Sequence, residues 1–296
     1  MRGPERGFLL LACHLGNPER KVLTTAQLRT LGQRMQERPN PTEDRDLEDT
    51  DLMALGYSRD MAIRILSLLE EEELLDRYLA KAWQADCLPI CRVSPLYPSA
   101  LKQRLGLDAP GCLWAKGDIS ILENPKIALV GSRDLHPVNE EFAREVGRQA
   151  ALQGYVLVSG NARGADRAAQ DACLAAGGRV ISIVADSLAQ KSLNDRVLYL
   201  SEEDFDAEFS AQRALSRNRC IHALGDKTFV AQSAYQQGGT WDGTVKNLRF
   251  GWSPVFLFDD RSPAAIQLCQ MGTTPVSMED LQDFSAIEPS QTDLFT

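Results

Sequence analysis

Histidine is scarce in this chain, with three residues at positions 14, 136 and 222 that lie far apart. That leaves little material for a His-based metal centre or for a Ser-His or Cys-His couple. The seven cysteines, at 13, 87, 91, 112, 173, 220 and 269, are odd in number and scattered. No disulfide framework follows from them, and in apolar segments reduced Cys behaves as a small hydrophobe. Cys87 and Cys91 in CLPIC could be half of a metal site, yet no second ligand pair accompanies them. No metal and no cofactor is expected.

Net positive charge is missing too, because 32 Lys and Arg stand against 41 Asp and Glu, a formal charge of −9. Phosphate affinity rests on Lys and Arg, so a protein that coats nucleic acid through its overall charge is excluded. Any nucleic-acid site must be local. No apolar run approaches the roughly 20 residues of a membrane-spanning helix. The opening MRGPERGFLLLACHLGNPERK holds only a short apolar stretch without a small-residue cleavage site. The expectation is a cytoplasmic protein with no membrane partner.

What is present is the make-up of a globular protein, 296 residues of which 44% are hydrophobic and 25% charged. Residues 6 to 83 read as helical throughout. TTAQLRTLGQRMQ opens on a Thr cap, and Leu28, Leu31 and Met35 recur at three- and four-residue steps as one buried stripe. RPNPTEDRD reads as a loop. Beyond it a short helix, the turn Leu55-Gly56-Tyr57, a Ser58 cap and one long amphipathic helix form a helical hairpin. Such a hairpin can offer backbone N–H groups to a DNA phosphate or serve for packing.

From residue 86 apolar strands alternate with helices. Strands are expected at 88–91, 112–115, 127–130, 156–158, 180–184, 228–231 and 255–258, and helices at 138–152, 164–176, 211–224, 240–249 and 262–271. A last strand and short helix fit 274–283. The fold class is therefore α/β, a Rossmann-like, mainly parallel sheet with helices on both faces over 86–283. A small all-α helical-hairpin domain (1–85) precedes it, and a tail (284–296) follows.

Three strand ends carry glycine loops. IALV runs into Gly131-Ser132-Arg133, where glycine admits a phosphate to the backbone, the hydroxyl can donate and arginine offers a charged fork. VLV runs into Ser159-Gly160, then Arg163-Gly164 and Asp166 in the first helical turn. Asp166 either caps that helix or positions a ligand. In a parallel sheet both loops open at the carboxyl edge, so they can line one crevice. Arg213, Arg217, Asn218 and Arg219 make the densest positive patch, with Arg213 and Arg217 one helical turn apart. Gly238-Gly239-Thr240 begins another helix suited to a phosphate, and the adjacent Trp241 either stacks on a base or packs.

In order, YPSALKQRLGLDAPGCLWAKGD, IALVGSR, VSGNARGADRAAQ, SRNR and GGTWDGT resemble segments of the DNA-processing protein A (DprA/Smf) family, whose Rossmann-like domain belongs with the SLOG superfamily. The resemblance covers about residues 88 to 258. It implies binding of single-stranded DNA and loading of a RecA-type recombinase, with phosphate or DNA contact by Gly131, Ser132, Arg133, Ser159, Gly160, Gly164, Arg217, Asn218 and Arg219. The chain departs from the family pattern at Pro137-Val138-Asn139, Ala165-Asp166 and Ala169-Gln170. At the tail, Gln291-Thr292-Asp293-Leu294-Phe295 resembles the QxxLF-type peptide that docks on the DNA polymerase sliding clamp, with Gln291, Leu294 and Phe295 as anchors. Partners expected are thus single-stranded DNA, a RecA-type recombinase, the clamp and a second copy in a homodimer.

No catalytic residue is expected. The alternative is a SLOG-type nucleotide sensor or nucleotide-processing enzyme. Related phosphoribohydrolases place a catalytic Glu after a GG-x-GT loop, whereas Val245, Lys246 and Asn247 follow Thr244 here.

Overall fold

The computed structural model describes residues 3–36 and 47–289. Five helices come first: α1 (Gly3–Ala12), α2 (Thr25–Gln36), α3 (Asp49–Ala54), α4 (Arg59–Leu69) and α5 (Glu72–Gln84). The start of α2 is a reciprocal cap, in which Thr24 Oγ1 accepts the Gln27 N–H at 3.2 Å and Gln27 Oε1 accepts the Thr24 N–H at 2.9 Å. Ser58 Oγ caps α4 through the Met61 N–H, and Gly56 turns the chain before it with φ +84°. The loop expected in RPNPTEDRD lies outside the described residues.

Two expectations here are corrected. Residues 13–24 are not helical, and the long helix after Ser58 is two helices broken at Glu70-Glu71. Buried Arg20 explains both. It pairs with Glu71 at 2.5 Å and donates to the carbonyls of Cys13 (2.5 Å) and Leu68 (3.4 Å), so it ties the irregular segment to the end of α4. A helix running through that point would need the Leu68 carbonyl for itself.

The rest of the chain alternates strands and helices: β1 (Leu88–Cys91), α6 (Ser99–Leu105), β2 (Cys112–Lys116), β3 (Lys126–Val130), α7 (Pro137–Leu152), β4 (Val156–Ser159), α8 (Ala165–Ala175), β5 (Val180–Ile183), β6 (Val197–Ser201), α9 (Ala211–Leu224), β7 (Lys227–Val230), α10 (Gly238–Phe250), β8 (Val255–Phe258), α11 (Pro263–Gln270) and β9 (Thr274–Val276). One sheet holds all nine strands in the order β1-β2-β6-β5-β4-β3-β7-β8-β9. From β6 to β9 it is parallel, while β1-β2 and β2-β6 pair antiparallel. The strand β6 and the helix α6 went unread in the sequence. In β6, VLYLS follows β5 across a helix-free connection, so the strand-helix alternation that located the others gives no cue.

Side chains alternate across the sheet as the two-residue period demands. Ile127 and Leu129 of β3 and Phe256 and Phe258 of β8 enter the core under α7 and α8, while Ala128, Val130, Val255 and Leu257 face α6, α9, α10 and α11. Helices thus cover both faces. A third core joins α1 and α5 to the antiparallel edge, where Tyr78 lies 5.5 Å from Trp114 and 4.9 Å from Phe205 between ring centroids. Tyr78 also donates its hydroxyl to Asp206 at 2.7 Å, and the Gly16 N–H donates to Asp204 at 2.7 Å. Among the described residues no helix is long and apolar enough to cross a membrane, and no group of His, Cys, Asp and Glu is placed to hold a metal ion.

Candidate functional site

From β3 the chain lays β4, β5 and β6 to one side, then returns through α9 to place β7 on the other. The loops after β3 and β7 therefore part in opposite directions, and a crevice opens outside the carboxyl ends of those two strands. It has a volume of about 520 Å³ and is lined by Gly131, Ser132, Arg133, Asp134, Ala162, Asp166, Arg217, Asn218, Gln232 and Gly238-Gly239-Thr240, among others. A smaller concavity of about 280 Å³ adjoins it across Arg133, Ala162 and Arg217, and adds Gly160, Arg163 and Asp186. Two strand-end loops, the start of α10 and the middle of α9 thus meet in one place.

Hydrogen bonds fix the loops to one another. The Ser132 N–H (3.0 Å) and hydroxyl (3.2 Å) both donate to the Gln232 carbonyl, and Gln232 Oε1 accepts the His136 N–H at 2.9 Å. The Ala165 N–H donates to the Ser132 carbonyl at 3.2 Å. Gly164, with φ +85°, passes so close to the carbonyls of Ser132 and Arg133 that a Cβ could not fit. Gly131 is a packing glycine as well, since a Cβ there would lie 2.5 Å from the Ala165 methyl.

Arg217 is buried, 5% exposed, and spans the gap between β4 and β5 by donating from Nη1 to the carbonyls of Gly160 and Ile183. Its guanidinium occupies the space a Cβ on Gly160 would need. Burial lowers its pKa, while the carboxylates of Asp166 and Asp186 act the other way. Burial raises the pKa of the Asp166 carboxyl, while Arg217 and the N–H groups of Ala162 and Gly160 act the other way. Asp166 Oδ2 accepts the Ala162 N–H at 3.1 Å, so this residue both braces the loop before α8 and lines the crevice.

Other cations are arranged differently. Arg133 is exposed and makes no hydrogen bond or ion pair among the described residues. Arg163 pairs with Asp134 at 2.6 Å, both side chains largely in solvent. At α10, Gly238 has φ +83° with open space above it, and Gln237 gives no side-chain cap, so the first-turn N–H groups face the crevice. Asn218 Nδ2 donates to the Gly239 carbonyl at 3.2 Å and holds that turn against α9.

Four sequence-predicted residues line neither the crevice nor the concavity beside it: Gly164, packed against the Ser132 and Arg133 carbonyls, and Ser159, Arg213 and Arg219. Ser159 is fully buried and accepts Gln170 Nε2 at 2.5 Å. Arg213 donates to the Glu208 carbonyl. Arg219 lies on the other flank of α9, paired with Glu202 at 2.5 Å in a concavity of about 720 Å³ that meets the crevice at Leu215, Asn218 and Gly239 and also holds Asp108, Glu203 and Asp242. The positive patch read from SRNR is thus dispersed over three environments. Trp241 is buried and meets Tyr235 edge-on at 5.7 Å. Gln291, Leu294 and Phe295 lie outside the described residues. Sequence reasoning missed Asp134, Asp186 and Gln232. The strand-end rule applied to β7 would have found Gln232, and Asp134 directly follows the GSR loop.

The family model for DNA recombination-mediator protein A matches residues 89–280. DNA processing protein DprA of Bacillus subtilis is 28% identical over 204 residues, which cover 64% of this chain and 68% of that protein. Across three curated relatives that it matches, the chain spans 68%, 50% and 41% of their lengths. DNA processing protein A from Streptococcus pneumoniae shares the fold with a TM-score of 0.67 at 23% identity, over 90% of this chain and 99% of that one. DNA processing protein A from Helicobacter pylori, whose structure concerns its single-stranded DNA binding mode, aligns with a TM-score of 0.56 at 25% identity, over 67% of this chain and 93% of that one. With most of the sheet inside the matched span, this chain belongs to the DNA recombination-mediator protein A (DprA/Smf) family.

Proposed function

We propose that the chain binds single-stranded DNA, without catalysing a reaction on it, in DNA processing, recombination or repair. The observation that carries this reading is the convergence of exposed Arg133, of Arg163 and of the uncapped start of α10 on the crevice at the switch point of the sheet and the concavity that adjoins it. Arginines grip phosphate oxygens, and a helix N-terminus offers them aligned N–H groups and a partial positive charge. The single-stranded DNA bound by the Helicobacter pylori relative supports the same choice of ligand. Titration of labelled single- and double-stranded oligonucleotides at two salt concentrations tests it. Single strands bind more tightly, and affinity falls as salt rises. No salt-sensitive binding of single strands refutes the reading.

In this reading residues 86–283 carry the DNA crevice, residues 1–85 form a helical unit set against it, and the tail expected from 284 begins only after Ile287, because Phe284 is buried in the core and Lys227 donates to the carbonyls of Phe284 and Ile287. A RecA-type recombinase receives the strand, a second copy completes a homodimer, and Gln291, Leu294 and Phe295 dock on the sliding clamp inside the cell. Deletion of residues 290–296 then abolishes retention on immobilised clamp. Unchanged retention removes the tail from the scheme.

A second reading, a nucleotide sensor or nucleotide-processing enzyme, is favoured by charge balance. Arg133, Arg163 and Arg217 stand beside Asp134, Asp166 and Asp186, and 520 Å³ suits one nucleotide. Calorimetric binding of nucleoside monophosphates without oligonucleotide binding would establish it, and release of free base would make it an enzyme.

A further inference from the structure

Asp134 follows Arg133 in the loop between β3 and α7, and its backbone is fixed, since Gln232 Nε2 donates to its carbonyl at 3.2 Å and Gln232 Oε1 accepts the His136 N–H. Arg163 sits in the loop before α8 and is anchored next to Gly164, whose close approach to the Ser132 and Arg133 carbonyls locks the two loops together. Both backbones are set. Their side chains are not, because Arg163 is 74% and Asp134 87% exposed where they meet at 2.6 Å. Asp134 lines the larger concavity and Arg163 the smaller, with Arg133 common to both. The pair therefore lies across the boundary of the two.

We infer that Asp134 is a built-in competitor for phosphate, a latch that holds Arg163 in reserve until a DNA phosphate displaces the carboxylate. This rests on reading the crevice as a DNA site. A carboxylate offers a guanidinium the same forked pair of oxygens that a phosphate does. An exposed ion pair is weak, so the latch opens readily once a second phosphate is held by Arg133. After the exchange the freed Asp134 carboxylate remains beside the strand, which lowers affinity and recovers a cation from solution. Binding to the wild type then gains little salt dependence from Arg163, because the counterion that the phosphate releases is offset by the one that Asp134 takes up.

Fluorescence anisotropy with a labelled oligothymidine and the full chain tests the latch. Asp134→Asn tightens binding about three- to tenfold at low salt, and steepens the slope of log affinity against log salt by about 0.7. Asp134→Glu, which can keep the pair, stays near the wild type. In an Arg163→Ala background the gain from Asp134→Asn shrinks, since no latched cation is left to free and only the repulsion between the carboxylate and the strand is relieved. Unchanged or weaker binding by Asp134→Asn, or an undiminished gain in the Arg163→Ala background, overturns the latch and leaves the DNA reading intact. A wild type that binds no oligonucleotide overturns both.

Discussion

Replacing Arg217 separates two roles that a motif arginine can have. In the structure it is a strut, buried, charged and bonded to the carbonyls of Gly160 and Ile183, with Asp166 and Asp186 as its counter-charges. Arg217→Ala strands Asp166 in a buried site without its main compensating charge, a loss on the order of 3–5 kcal/mol. The two carbonyls lose a donor as well, but these costs overlap and do not simply add. With about 2–4 °C lost per kcal/mol in a domain of about this size, the melting temperature falls by roughly 6–20 °C. Thermal unfolding followed by circular dichroism measures it.

Adding Asp166→Asn to Arg217→Ala then restores part of the loss, because the stranded charge is gone. The pH dependence has a definite sign. Asp166 has its pKa raised on folding, so its contribution is most favourable below the unfolded carboxylate value and is lost as pH rises through the folded one. In Arg217→Ala that loss deepens, and the variant gains stability relative to the wild type on acidification. A variant that melts within about 2 °C of the wild type yet no longer binds oligonucleotide would refute the strut and make Arg217 a direct phosphate ligand.

Further outcomes follow from the same geometry. Gly160→Ala puts a methyl group where the Arg217 guanidinium lies; it lowers the melting temperature, and combined with Arg217→Ala it costs much less than the sum of the two, as a double-mutant cycle by thermal unfolding will show. Arg133→Ala weakens oligonucleotide binding about tenfold, close to 1.4 kcal/mol, whereas Arg219→Ala, whose side chain is paired with Glu202 on the far flank of α9, changes it less than about twofold in anisotropy titrations. His222, fully buried beside Asn247 with its pKa pushed down to about 3 by burial, contributes stability above pH about 6.5 that is lost as pH falls. Between pH about 6.5 and 5 that loss is about 2 kcal/mol, and His222→Gln flattens this limb of a melting-temperature profile.

Much of this was legible from the sequence. The strands β1 and β8 and the helix α9 were bounded to the residue, because each is an apolar run or an amphipathic period closed by clear punctuation. A rule of chain topology, that parallel strands open their loops at the same edge, led to one crevice shared by the loops after β3 and β4, and the structure lines that crevice with Gly238 to Thr240 as well. Where the reading fell short, the missing quantity was burial. Helical spacing puts Arg217 and Arg219, two residues apart, on opposite sides of one turn, but nothing in SRNR says which of them faces the sheet and which faces Glu202. Nor could local pattern foresee that Arg20, 50 residues before the break it helps stabilise at Glu70-Glu71, would compete for the Leu68 carbonyl.

The glycines have a packing role beside the one their motif suggested. Gly131, Gly160 and Gly164 were expected to make room for phosphate at the backbone. In the structure their missing side chains make room for Ala165, for the Arg217 guanidinium and for the carbonyls of Ser132 and Arg133. Each contact draws one strand-end loop against the next. A loop free to move would pay the entropy of ordering on every encounter with a flexible single strand, whereas loops already locked together leave that cost to the DNA. The glycines therefore act on a ligand through the positions they fix. In the proposed reading, direct contact falls to Arg133, Arg163 and the first N–H groups of α10. With a chain charge of −9 working against approach of any polyanion, so small a set can be effective only if it is held in register, and the packing of these three glycines supplies that register.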